Sequence, residues 1–154
     1  MVERAIAESS NPRMVNTQEK RRLLENLVSA GTSPAGAVEG LIRFGESNPT
    51  LLYEYSEQFK RLEADGHDKR VISVLMGEFY PDEGTVKYCL DMYGTLYREF
   101  GIIFPEFHIL LMCAGVDINE ARTYANIINS IKVSNPSCTI DDIVRGLRKY
   151  GVKI

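Results

Sequence analysis

HILLMCAGVDINEARTYANIINSIK, residues 108–132, holds the densest apolar run of the chain and its best-marked pair of helices joined at a corner. Ile109 to Cys113 is apolar, Gly115 suits the left-handed backbone that ends a helix, and Asp117 suits the N-cap of the next, with Glu120 at the capping-box position. Beyond the corner, Ile118, Ala121, Ala125 and Ile128 recur at spacings of three and four, so they share one helix face and should turn to a core. The opposite face carries Asn119, Arg122, Thr123, Asn126 and Asn129. Arginine and asparagine bond bidentately to guanine and adenine edges, so this face has the chemistry of a helix that reads DNA in the major groove. An ordinary solvated face has the same composition.

Working outward, the punctuation predicts about eight short helices in a compact orthogonal bundle, an all-α fold. Asn16 and Glu19 signal a helix that runs through Leu24, Leu27 and Val28 to Gly31; Ser33 and Pro34 open another that ends at Gly45, in which Gly36 and Gly40 permit close helix contact. Asn48 and Pro49 start a third with Leu52, Tyr55, Phe59 and Leu62 inward and Glu57 paired to Arg61, ending at Gly66. Residues 68–79 form a largely buried fourth. Pro81 and Asp82 begin the longest, where Val86, Cys89, Leu90, Tyr93, Leu96, Tyr97 and Phe100 repeat at helical spacing until Gly101. Pro105 starts the pair already described, and Thr139 caps the last helix, which turns Ile140, Ile143, Val144 and Leu147 inward and carries Arg145, Arg148 and Lys149 at its C-terminal end.

Residues 1–16 are polar, contain Pro12 and have no sustained period, so they read as an arm ahead of a single helical domain spanning 17–154. Two destinations suit it: the arm folds on its own domain, or Arg4, Ile6, Arg13, Met14 and Val15 dock on a neighbouring subunit. Within the domain, residues 30–49 and 114–136 share an Ala-Gly corner, a helix and a closing Ser-Asn-Pro. Duplicated units at 17–66 and 105–151, flanking a hairpin at 67–104, give that echo; so does reuse of common capping chemistry.

At 154 residues, 44% hydrophobic and 25% charged, the chain is long enough for one good core. The N-terminus has no uninterrupted apolar stretch of the kind a signal peptide needs. The run 102–116 is broken by Pro105 and Glu106 and too short to span a bilayer. Cys89, Cys113 and Cys138 are odd in number and set in apolar or capping contexts, which suits reduced core residues in a reducing intracellular compartment, or in a virion for a coat subunit. Net charge is −3 but unevenly spread: residues 1–22 hold five basic against three acidic side chains, 23–66 three against seven, 67–104 four against six, and 105–154 six against five. Basic ends around an acidic middle suit contact between subunits or orientation on nucleic acid.

Catalytic chemistry is absent from the pattern. His67 and His108 belong to no metal-binding spacing, and neither a metal nor a cofactor is expected. The acid pairs Asp82–Glu83 and Asp141–Asp142 stand at helix starts, where they complement the dipole. Tyr53, Tyr80, Tyr88 and Tyr97 offer contact area wherever they lie outward. The sequence therefore reads as a non-enzymatic, self-associating structural protein, a coat or scaffold subunit on nucleic acid, with a helix-turn-helix DNA-binding regulator as the alternative. Its expected partners are further copies of itself and nucleic acid, not a membrane or a small-molecule substrate. The nucleic-acid candidates are Asn119, Arg122, Thr123, Asn126, Asn129, Arg145, Arg148 and Lys149.

Overall fold

Capping chemistry sets the helices where the punctuation places them. In the computed structural model, which describes residues 2–15, 17–45 and 47–154, these residues are all-helical, without strands. Asn16 lies outside the described residues; Thr17 holds the N-cap of its helix, its hydroxyl accepting from the Lys20 amide at 3.3 Å. Asn48 accepts from the Leu51 amide at 3.3 Å, Asp68 from that of Arg70 at 2.8 Å, and Asp117 from those of Asn119 and Glu120 at 3.0 and 3.3 Å. Each satisfies an amide that the first turn of a helix leaves without a carbonyl. Ser33 makes no such bond: its hydroxyl donates to the Glu63 carboxylate instead.

Contacts divide the chain into two compact units, residues 1–87 and 88–154, where a single domain was expected. The first contains α1 (Val2–Ala7), a 3-10 turn (Pro12–Val15), α2 (Gln18–Ser29), α3 (Pro34–Phe44), α4 (Pro49–Ala64), α5 (Lys69–Phe79) and the first turn of α6 (Glu83–Phe100). Its centre is α3, which packs against α1, α2, α4 and α5 and buries Ala37, Val38 and Leu41 completely. Gly36 and Gly40 explain how closely α3 lies on α4. A Cβ on Gly36 would stand 3.0 Å from the Phe59 Cβ, and one on Gly40 2.7 Å from Leu52 Cδ1. The inward set expected of α4 holds, with Leu52, Tyr55, Phe59 and Leu62 at 2% exposure or less.

In the second unit the remainder of α6 is followed by α7 (Phe104–Ala114), α8 (Ile118–Ser134) and α9 (Ile140–Lys149). The stretch 108–132 organises this unit, because α8 packs against α7 and α9. Ala121, Ala125, Ile128, Ile143 and Leu147 are buried as their spacing demands, whereas Ile118 is half-buried and Ile140 exposed. Met112, inside the apolar run, points outward, and so does Tyr97 of α6; Met92, which the periodicity passed over, is buried. No described helix is long and apolar enough to cross a membrane.

Candidate nucleic-acid interface

The polar face of α8 is built as its spacing predicts, but its most useful side chain is already engaged. Arg122 donates from Nε and Nη2 to both oxygens of Glu99, each at 3.0 Å, in the forked geometry a guanine edge would require. This pairing holds the Glu99 carboxyl below its usual range and raises the guanidinium. Asn129 is spent as well: its Nδ2 donates at 3.1 Å to the carbonyl of Phe100, the last residue of α6, and so caps that helix end. Thr123 turns its hydroxyl back to the Asn119 carbonyl at 3.2 Å. Asn119, Thr123 and Asn126 remain exposed. Glu120, rather than closing a capping box, accepts the Tyr124 hydroxyl at 2.8 Å and adds negative charge to this side.

The basic residues of α9 stand elsewhere. Thr139 and Asp142 form a reciprocal capping box, the Thr139 amide donating at 2.9 Å and the Asp142 amide at 3.2 Å. Asp142 also accepts from Arg145, and these bonds, the Thr139 amide foremost, hold its carboxyl below the usual range. Gly146 lets α9 sit close on α8, since a Cβ there would lie 2.5 Å from Ile131 Cδ1. The result is a groove of about 330 Å³ with Arg145, Lys149 and Tyr150 on one wall and Ser130, Ser134 and Asn135 on the other. Arg148 opens onto a separate shallow hollow beside Met112 and Lys153. Sequence reasoning missed Ser130, Ser134, Asn135 and Tyr150. The one signal for them was Gly146 within an amphipathic helix, a small residue where two helices must touch.

Nor is the N-terminal segment a free arm. Ile6, at 6% exposure, and Val15, fully buried, join Leu24, Leu27, Val38 and Leu41 in the core of the first unit. Two of the residues expected to dock on a neighbour, Ile6 and Val15, are therefore occupied at home. The segment is also held by polar contacts: Ser10 donates from amide and hydroxyl, both at 2.8 Å, to the buried Glu39 carboxylate, and Lys20 Nζ donates to the Met14 carbonyl at 2.8 Å. Arg4 of α1 pairs with Glu8, in the turn just after that helix, at 3.0 Å. Arg13 and Met14 remain exposed.

Elsewhere the side chains are mostly structural. His108 is half-buried with its ring stacked on Phe104, and Cys89 is buried while Cys113 and Cys138 are only half-buried. Among the described residues no three His, Cys, Asp or Glu side chains gather as metal ligands would. No protein-family model matches the sequence, and neither a curated protein nor a solved structure matches it.

Proposed function

We propose that this protein is a non-enzymatic structural subunit that self-associates and holds nucleic acid through its phosphates, as a coat or scaffold protein does. The observation that carries the reading is the α8–α9 groove, where Lys149 supplies a cation and Arg145 a second that also pairs with Asp142 on the same lining, Ser130, Ser134 and Asn135 supply hydrogen-bonding groups, and Tyr150, 64% exposed, supplies a ring on which a base can stack. Such a set follows a backbone without reading its sequence. The alternative, a DNA-binding regulator, is favoured by exposed Asn119, Thr123 and Asn126 beyond the Gly115 corner, and disfavoured by the engagement of Arg122 with Glu99.

Titration of single-stranded and duplex oligonucleotides of different sequence across a salt series separates the two. Replacing Arg145 and Lys149 by alanine should weaken binding to every sequence alike and flatten the log–log salt dependence by about 1.4, at roughly 0.7 for each phosphate that is no longer neutralised. Arg122→Ala should leave that binding unchanged. A preference for one duplex sequence that Arg122→Ala abolishes would favour the regulator, and no binding to any strand at low salt would remove nucleic acid from the reading.

A further inference from the structure

A second groove, of about 440 Å³, lies in the first unit between α4 and the corner that joins α5 to α6. Tyr53, 48% exposed, and half-buried Tyr80 stand on it, and Glu54, Glu57 and Glu83 bring three carboxylates to it. Arg61 is the cation among the lining residues. Expected to pair with Glu57, it reaches Glu83 at 3.6 Å, and Lys87 reaches the same carboxylate at 3.5 Å. Glu83 is thus neutralised, while Glu54 and Glu57 are exposed on α4. Tyr80 already attracts a guanidinium, that of Arg43, which stands 5.5 Å from its ring centroid.

Gln58 supplies an independent observation. It lines the same groove at only 5% exposure, yet its side-chain Nε2 has no hydrogen-bond partner. Buried polar groups are almost always paired, so an amide left without a partner on the lining of a groove marks a place where one is missing. The unanswered atom is a donor, so what it lacks is an acceptor, and a peptide bond brings a carbonyl.

We propose that this groove binds a basic peptide segment, with an arginine side chain between the tyrosines and the carboxylates of Glu54 and Glu57 and an adjacent peptide bond against the Gln58 amide. Each alternative ligand leaves part of the site unanswered. A small cation satisfies the carboxylates and leaves Gln58 without a partner. An apolar segment leaves both carboxylates facing it. Nucleic acid is repelled by them. Arginine suits the site better than lysine because its flat, weakly hydrated guanidinium stacks on a tyrosine ring while donating to a carboxylate.

Calorimetric titration of the full chain with the capped tripeptide acetyl-Gly-Arg-Gly-amide tests the assignment. Saturable binding that weakens with salt is expected, with the norleucine peptide weaker by about tenfold or more, since it loses both the stacking and the charge. Gln58→Leu should weaken the arginine peptide several-fold and leave methylguanidine binding unchanged. Tyr53→Ala, at an exposed position that the fold does not need, should weaken both. Equal binding of the norleucine peptide, absence of saturable heat with the arginine peptide, or a Tyr53→Ala protein that binds as the parent does would each overturn the proposal. So would a folded Gln58→Leu protein with parental peptide affinity, because its orphan amide would then be a packing feature only.

Discussion

Glu106 sits at 2% exposure at the start of α7, accepting from the Ile103 amide at 3.0 Å and from Lys132 Nζ at 3.2 Å. Ile103 has no side-chain acceptor to return, so this is half a capping box with a lysine in place of the other half. A buried carboxylate that loses its cation keeps its desolvation cost, which outweighs what the intact pair contributes. Lys132→Met should therefore destabilise the protein by about 1–3 kcal/mol, less than a fully buried pair would cost because Lys132 is itself 35% exposed. Adding Glu106→Leu should recover much of the loss. Urea denaturation midpoints of the single and double variants check this, and a double variant no more stable than Lys132→Met alone would mean that the carboxylate itself holds the helix start. Periodicity placed Glu106 only as an interruption of an apolar run, because its partner comes from another helix.

Between helices the decisive variable is the space beside a glycine. Alanine favours a helix over glycine by about 1 kcal/mol, but an added methyl in a packed interface costs about 1–3 kcal/mol. At Gly77, an exposed position of α5 with nothing within 4 Å, the first effect acts alone and Gly77→Ala should stabilise. At Gly40 the new Cβ meets Leu52 Cδ1 at 2.7 Å and Ser56 Oγ at 3.1 Å, so packing prevails and Gly40→Ala should destabilise. Thermal melts of the two variants should shift in opposite directions. The sequence marks Gly36 and Gly40 as contact points, and the glycines it reads as helix stops, Gly31, Gly45, Gly66, Gly101 and Gly115, all have positive φ, because these are local properties of the backbone. Gly115, at φ 62°, is such a stop, its amide returning to the Leu111 carbonyl at 3.0 Å. The internal echo is less than it looked. Asn48 and Pro49 open α4, whereas Asn135 closes α8 and α9 begins only after the Thr139 cap, so one tripeptide serves opposite ends of helices. What the sequence could not show was engagement: Arg122 with Glu99 and Ser10 with Glu39 join residues 23 and 29 positions apart, and no helical period reports such pairs.

Over the whole molecule, charge placement makes stability depend on pH from both sides, and the N-terminal segment bears on how copies meet. Glu8 beside Lys69, Asp82 beside Thr85, Glu99 beside Arg122 and Asp142 at the Thr139 cap all have carboxyls held below their usual range. The unfolded chain binds protons at these groups first, so their contribution is present above the usual carboxylate range and disappears as pH falls through the lowered folded values. Burial pushes the Tyr55 hydroxyl up, so its contribution is full below the unfolded value of about 10 and is lost as pH rises beyond it. Denaturation midpoints should thus form a plateau between these limits, and a midpoint that rose on acidification would contradict the ion pairs. For the N-terminal segment, the fold separates two kinds of variant. Val15 is fully buried, so Val15→Ala should lower stability by about 1–3 kcal/mol whatever the oligomeric state. Arg13 and Met14 are exposed on the same turn, and replacing both by serine should leave helical content and the denaturation midpoint unchanged. If that surface joins subunits, light scattering of the double variant should give a lower, more concentration-dependent mass than the parent, as expected for an assembly whose joint is weakened while each subunit stays folded. An unchanged mass would leave the segment as part of its own unit's core and move the search for the subunit interface to the exposed tyrosines, Tyr53, Tyr88 and Tyr97.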